Sequence, residues 1–361
     1  MKSFRVRPAA SIAVAVATVL ASGGLFAGPA AAAEPPSLHA SPTPLLWPRS
    51  GLESVSATGP DDVWAAGYQG YQGFWWAWEG LGGTYVHVLQ PKAVVTRWNG
   101  TSWQTHDLPG TGGDARAERI EAGAPGNVWV QGTLHPHHVF NGTAHYIARW
   151  DGARWRQVSL PSTDCRPRLE DADASGAWFD CSGDVFRWEG GTWTRYDTDP
   201  EGQSTGVSAI SSLSAGSAWA ATTENLLRWD GSRWSPAPGL PEGGYWYDVL
   251  AVSATEVWAA GLAPGDGGRK QVVYRWDGAV WHEEAPRPSD GDDLYRAGDG
   301  TMWTHNRWTG ELHRLDGGTW TPVDVPLPDD GEVNGVTTVP GAPTLWAVGE
   351  TGDVPLVYRG G

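Results

Sequence analysis

The stretch RWDGARW, residues 149–155, sets two tryptophans around an Asp-Gly pair, and the chain keeps returning to it. RWNGTSW (97–103), RWEGGTW (187–193), RWDGSRW (228–234), RWDGAVW (275–281) and RLDGGTW (314–320) are further copies. Asp-Gly or Asn-Gly between strand-forming residues marks a tight hairpin, because a type I′ turn needs positive φ at both central positions. With Asp151 and Gly152 as that turn, Trp150 is predicted opposite Ala153 and Ala148 opposite Trp155. Both indoles then share one face, diagonally adjacent. A chain that builds this hairpin six times must find something for six aromatic faces to pack against.

A second motif precedes each hairpin. VWAAG (63–67) recurs as VWVQG (128–132), AWFDC (177–181), AWAAT (218–222), VWAAG (257–261), MWTHN (302–306) and LWAVG (345–349). Before each lies an alternating apolar stretch and a short turn. The unit therefore reads as strand A, turn, strand B with its Trp, connection, strand C ending in Arg-Trp, turn, strand D. Four short strands with a period of about 40–50 residues are the mark of a β-propeller blade. The predicted fold is all-β, a seven-bladed β-propeller closed by pairing of N- and C-terminal strands. Seven strand-B motifs stand against six hairpins, and the last unit stops at LVYRGG. The orphan LLWPRS, residues 45–50, is the expected closing strand, with Trp47 in the place of a strand-D tryptophan. Counting Trp47, nineteen of the 24 tryptophans take repeat positions and belong to the core between blades.

This pattern resembles the secreted tryptophan-rich β-propellers of actinobacteria and, in strand grammar, the tectonin-type lectin propellers. The resemblance covers nearly all of the chain after its leader and implies a lectin-like role. WD40 and kelch blades fit less well, since the upstream Gly-His of the one and the Gly-Gly doublet followed by spaced Tyr and Trp of the other are not seen. A fold shared this widely does not specify a function.

The first 33 residues read as a secretory signal peptide: Lys2, Arg5 and Arg7, an apolar run, then Ala31-Ala32-Ala33. Residues 34–43 read as a disordered Pro-rich leader and residues 44–361 as the propeller. The expected destination is extracellular. Cys165 and Cys181, the only two cysteines, flank a hairpin turning near Ala174 and are expected to form a disulfide in that oxidising setting. The net charge of −16 repels phosphate backbones and anionic lipid, which argues against nucleic-acid and membrane partners. A monomer that binds an extracellular glycan or protein is the expectation.

Strand parity places A–B and C–D turns at one end of the blades, and all of these are short. The B–C and D–A connections emerge at the other end, where the long insertions fall. Trp75, Trp76 and Trp78 sit in the blade 1 insertion; Tyr245, Trp246 and Tyr247 are read as part of the D–A connection entering blade 5; Trp308 follows strand B of blade 6. These aromatic residues are the candidate ligand-binding set, suited to stacking on sugar C–H faces. The FWWAW segment suits capping of the channel equally well. The histidines 135, 137, 138 and 145 show no ligand spacing, so no metal site is assigned. Asp290, Asp292 and Asp293 offer calcium oxygen ligands without the EF-hand order. No nucleophile elbow or HExxH motif occurs, which favours a binding protein over an enzyme. A carboxylate pair serving a lyase or glycoside hydrolase is a tertiary fact that the sequence does not reveal. No cofactor is expected.

Overall fold

The computed structural model describes residues 37–70, 91–134, 144–181, 183–198, 206–288, 292–352 and 354–360, with the backbone alone for Asp292 and for strands Gly73–Glu79 and Gly83–Leu89. Their regular structure is entirely β. Seven four-stranded antiparallel sheets, six of them in sequential strand order, form the blades. Blades 1 to 6 span 51–106, 115–158, 167–196, 207–236, 245–284 and 292–323. Blade 7 takes its first three strands from 331–360 and its fourth from the N-terminal side.

That fourth strand corrects one expectation. The closing strand is Leu38–Ala40, not residues 45–50, and it pairs Leu38 with Gly360, His39 with Arg359 and Ala40 with Tyr358. Part of the expected leader is therefore inside the fold. The register explains the choice. Arg359 opposes strand-B Trp346, as Arg97 opposes Trp64, so Gly360 and Leu38 take the places that a Trp–Trp pair holds in other blades. Leu38 is buried beside Trp303 of blade 6, whereas Trp47 is 59% exposed. A Cβ at Gly360 would fall 2.2 Å from the Ser37 carbonyl oxygen, so only glycine admits the strand this closely.

The hairpins also differ from the two-residue reading. Trp150 lies directly opposite Trp155, as Trp98 does Trp103, Trp229 does Trp234 and Trp276 does Trp281. Asp151 Oδ1 accepts hydrogen bonds from the Ala153 and Arg154 amides, at 3.1 and 3.0 Å, which holds a four-residue turn. Asn99, Asp230 and Asp277 do the same in their hairpins. The Asp-Gly signal thus works through its carboxylate as much as through the glycine. The two-residue turn does occur at Gly190-Gly191, between paired Glu189 and Thr192, with φ of +59° and +93°.

The paired tryptophans face the preceding blade. Trp64 of blade 1 packs on Trp150 and Trp155 of blade 2 with ring centroids at 5.4 and 5.7 Å. Trp178 packs on Trp229 and Trp234 in the same way, Trp219 on Trp276 and Trp281, and Trp346 of blade 7 on Trp98 and Trp103 of blade 1. Each such interface is a cluster of three indoles in tilted or edge-on contact. The arginine of the motif completes the unit. In all seven blades it is the cross-strand neighbour of the strand-B tryptophan, and in six its guanidinium lies within 6.0 Å of that ring centroid. This is a cation–π contact repeated around the ring.

The Cys165–Cys181 disulfide is present, across the hairpin that turns at Asp173–Gly176. Cys165 lies just ahead of its strand, Pro167–Ala172, and ties the connection from blade 2 onto blade 3. A disulfide suits an oxidising compartment.

Candidate functional site: the axial channel

Strand A of every blade lines a central channel of about 900 Å³. In six blades that strand carries a β-bulge at the same place. The bulged residues are Glu53, Glu118, Glu170, Ser208, Tyr247 and Asn334. All six line the channel, and so does Asp293 of the unbulged blade 6. A bulge adds one residue against the partner strand and re-aims the side chain. Here it turns a polar side chain toward the axis while the residue before it stays in the core. Leu52, Ala117, Leu169, Val207 and Val333 are those core residues, and Trp246 is the sixth.

Trp246 is therefore not an exposed ligand platform. It is 1% exposed, packed with Tyr274 at a centroid distance of 6.0 Å in the apolar layer between blades 4 and 5. Tyr245 and Tyr247 are half-buried, with ring centroids 5.0 Å apart. Tyr247 lines the channel under the Arg287 guanidinium, 5.4 Å from its ring centroid. Trp308 is 84% exposed in the B–C turn of blade 6, outside the channel lining. Trp75, Trp76 and Trp78 belong to strand Gly73–Glu79, which pairs with Gly83–Leu89 as a separate two-stranded hairpin; their side chains lie outside the described residues. His135, His137, His138 and Asp290 lie outside them too. Asp293 is engaged by Arg307 at 2.7 Å. Among the described residues no three His, Cys, Asp or Glu side chains converge as metal ligands.

Four of the seven axial positions are carboxylates, each with a partner. Arg116 Nη2 lies 3.5 Å from Glu53, and Arg168 Nε 2.6 Å from Glu170. Glu118 accepts from Gln131 Nε2 at 3.0 Å and Thr133 Oγ1 at 2.8 Å. A second set, Glu121, Asp171 and Asp248, also lines the channel and links blades. Strand A has a free edge, and unpaired edge amides must be satisfied. Asp171 Oδ2 accepts from the amide and hydroxyl of Ser212 in the next blade, and Asp248 Oδ2 from the Leu294 amide at 2.7 Å. Serines serve likewise elsewhere: Ser56 Oγ accepts from Ala122 N at 3.0 Å and Ser211 Oγ from Ala251 N at 3.0 Å. The other carboxylate oxygens of Asp171 and Asp248 take the Ala172 and Val249 amides, both at 2.8 Å.

No family model matches the chain, and no curated protein matches it. Its fold is found in solved structures of low identity. YCF48 bound to D1 peptide is 17% identical over 92% of this chain and 98% of that one, with a TM-score of 0.55. Virginiamycin B lyase from Staphylococcus aureus is 13% identical over 90% and 99%, with a TM-score of 0.60. The GH74 xyloglucanase from Xanthomonas campestris is 15% identical over 90% of this chain and 53% of its own, with a TM-score of 0.51. These likenesses carry the seven-bladed propeller and nothing of its chemistry.

Burial in the channel raises several carboxyls. Burial, with the charge of Asp171 next in weight, pushes Glu121 up to about 8. Burial pushes Glu170 up to about 7 against the pull of Arg168. It raises Asp171 to about 6 against the Ser212 hydrogen bonds, and Asp248 to about 6 with help from Asp293. A folded chain that keeps a proton which the unfolded chain releases loses stability as pH rises through that interval. His305, lowered by burial to about 4, acts in the opposite sense only below its ordinary 6.5, as does His106, also lowered by burial. Above pH 6.5 neither His305 nor His106 offsets the raised carboxyls. Raising the pH from about 6.5 to about 8.5 should cost about 3 kcal/mol of unfolding free energy, about 2 kcal/mol of it through Glu121. Urea titrations across that range measure it, and Glu121→Gln should flatten the slope. A stability that is level or rising over the range contradicts a protonated Glu121.

Proposed function

We propose that the protein is an extracellular binding propeller, taking a polyhydroxylated ligand, a glycan end, at the axial mouth on the face of the long connections. The observation that carries this reading is the axial ring of bulged side chains. It offers carboxylate, amide and hydroxyl groups for ligand hydroxyls, and one aromatic ring, Tyr247, for a sugar face. The resemblance of the repeat to lectin-type propellers agrees with it. Binding is favoured over cleavage because both oxygens of Asp171 and of Asp248 are engaged by backbone amides, a scaffold use of carboxylates.

A glycan array probed with the labelled protein is the first test. For any glycan retained, Tyr247→Ala should weaken binding about tenfold, the equivalent of one stacking contact. The melting temperature should move by only a few degrees, since the bulged residue lies outside the interblade core. An array without hits, or a Tyr247→Ala protein that binds as before, removes the reading. Release of shortened glycan from a hit would turn it toward hydrolysis.

A further inference from the structure

Five large apolar side chains are exposed among the described residues, and four of them stand on one face in neighbouring blades. Trp308 is in the B–C turn of blade 6, and Val354, 55% exposed, starts the strand that follows the B–C turn of blade 7. Leu45, 96% exposed, and Trp47 lie in the connection from blade 7 to blade 1. The fifth, Val280, is in a C–D turn on the opposite face. Solvent-exposed large apolar side chains gathered in one sector mark an interaction surface.

The sector is continuous. A Cβ at Gly310, in the turn of Trp308, would lie 3.9 Å from the Val333 amide nitrogen of blade 7, which places the two blades side by side there. Tyr68 of blade 1 donates to Glu350 of blade 7 at 2.7 Å, and Gln69 Oε1 accepts from the Trp47 amide at 3.0 Å. Between the apolar positions of blades 6 and 7 the charge left without an ion pair is acidic. Glu311, Asp329, Asp330 and Glu332 are exposed and make no ion pair with a described residue. The cations nearby are engaged: Arg307 by Asp293, and Lys92 by Asp107 with its ammonium over Trp47, while Arg49, exposed two residues from Trp47, is not free either.

We infer that this sector, blades 6, 7 and 1 on the face of the long connections, docks a basic polypeptide segment whose Lys or Arg residues alternate with apolar side chains. Apolar anchors supply the buried contact, and the unpaired carboxylates select the charge. The site is distinct from the axial mouth and goes beyond the glycan reading.

Fluorescence anisotropy with the mature protein and three labelled synthetic peptides tests it: alternating Leu/Lys, Leu/Glu and Ser/Lys. Only Leu/Lys should bind, with affinity falling as salt rises. The double variant Trp47→Ser with Trp308→Ser should weaken it at least tenfold. Leu45→Ser with Val354→Ser serves as a second surface pair should the first lower the melting temperature, and it should weaken binding too. Asp329→Asn with Asp330→Asn and Glu332→Gln should remove most of the salt dependence, while Tyr247→Ala should leave peptide binding unchanged. Equal binding of Ser/Lys, equal binding of Leu/Glu, no binding of Leu/Lys, or indifference to both apolar pairs overturns the proposal.

Discussion

Replacing Trp246 by alanine should cost about 3–5 kcal/mol, the range for deleting a large aromatic side chain from a packed interior. The indole is almost fully enclosed by Tyr274 and the apolar residues between blades 4 and 5. Room for it is made by two glycines: a Cβ at Gly244 would come within 3.0 Å of the ring, and one at Gly261 within 2.9 Å. Neither neighbour has a side chain that can swing in to fill the void, so collapse after truncation is limited and the upper part of the range applies. Trp246→Phe should recover more than half of the loss. Chemical denaturation of the three proteins at one pH decides the matter. A Trp246→Ala protein as stable as its parent would return this ring to the ligand-binding face.

Trp246 also shows where the sequence was readable and where it was not. The blade count was legible because strand-B tryptophans and Arg-Trp hairpins mark positions that face the same environment seven times over. The disulfide was legible because its hairpin was. The axial ring was not, although a signal existed. Leu52-Glu53-Ser54-Val55, Ala117-Glu118-Arg119-Ile120 and Trp246-Tyr247-Asp248-Val249 share an apolar-x-x-apolar spacing that breaks the period of two. That break is the bulge, and it assigns Trp246 to the core and Tyr247 to the channel. Reading Tyr245, Trp246 and Tyr247 as one aromatic loop passed over it. The motif arginines were visible too, but their role depends on cross-strand register, which emerges only when strands B and C pair. The carboxyls that titrate together belong to different blades, and no local pattern connects Glu121 with Asp171.

Beginning the chain at Ser41 should destabilise it by about 5 kcal/mol and make it aggregate. The loss combines burial of Leu38, about 2–5 kcal/mol for such a side chain, with the ladder between Leu38–Ala40 and the last strand, at about 1 kcal/mol per hydrogen bond. It also uncovers the outer edge of Val354–Gly360, an invitation to intermolecular pairing. The sequence reading placed closure at Trp47, because every other fourth strand with a hairpin begins with tryptophan. In the structure the closing strand has three residues, too short for alternation to show, and a Leu–Gly pair stands where the indoles would be. The two placements separate cleanly. Leu38→Asp should reproduce most of the truncation, and Gly360→Ala should push the strand away through its contact with the Ser37 carbonyl. Trp47→Ser should leave the melting temperature within a few degrees, since that ring is mostly in solvent. Size-exclusion chromatography and thermal melts of the four variants read the outcome. Should Trp47→Ser unfold the protein while the chain beginning at Ser41 stays monomeric and stable, the ring closes through residues 45–50 after all.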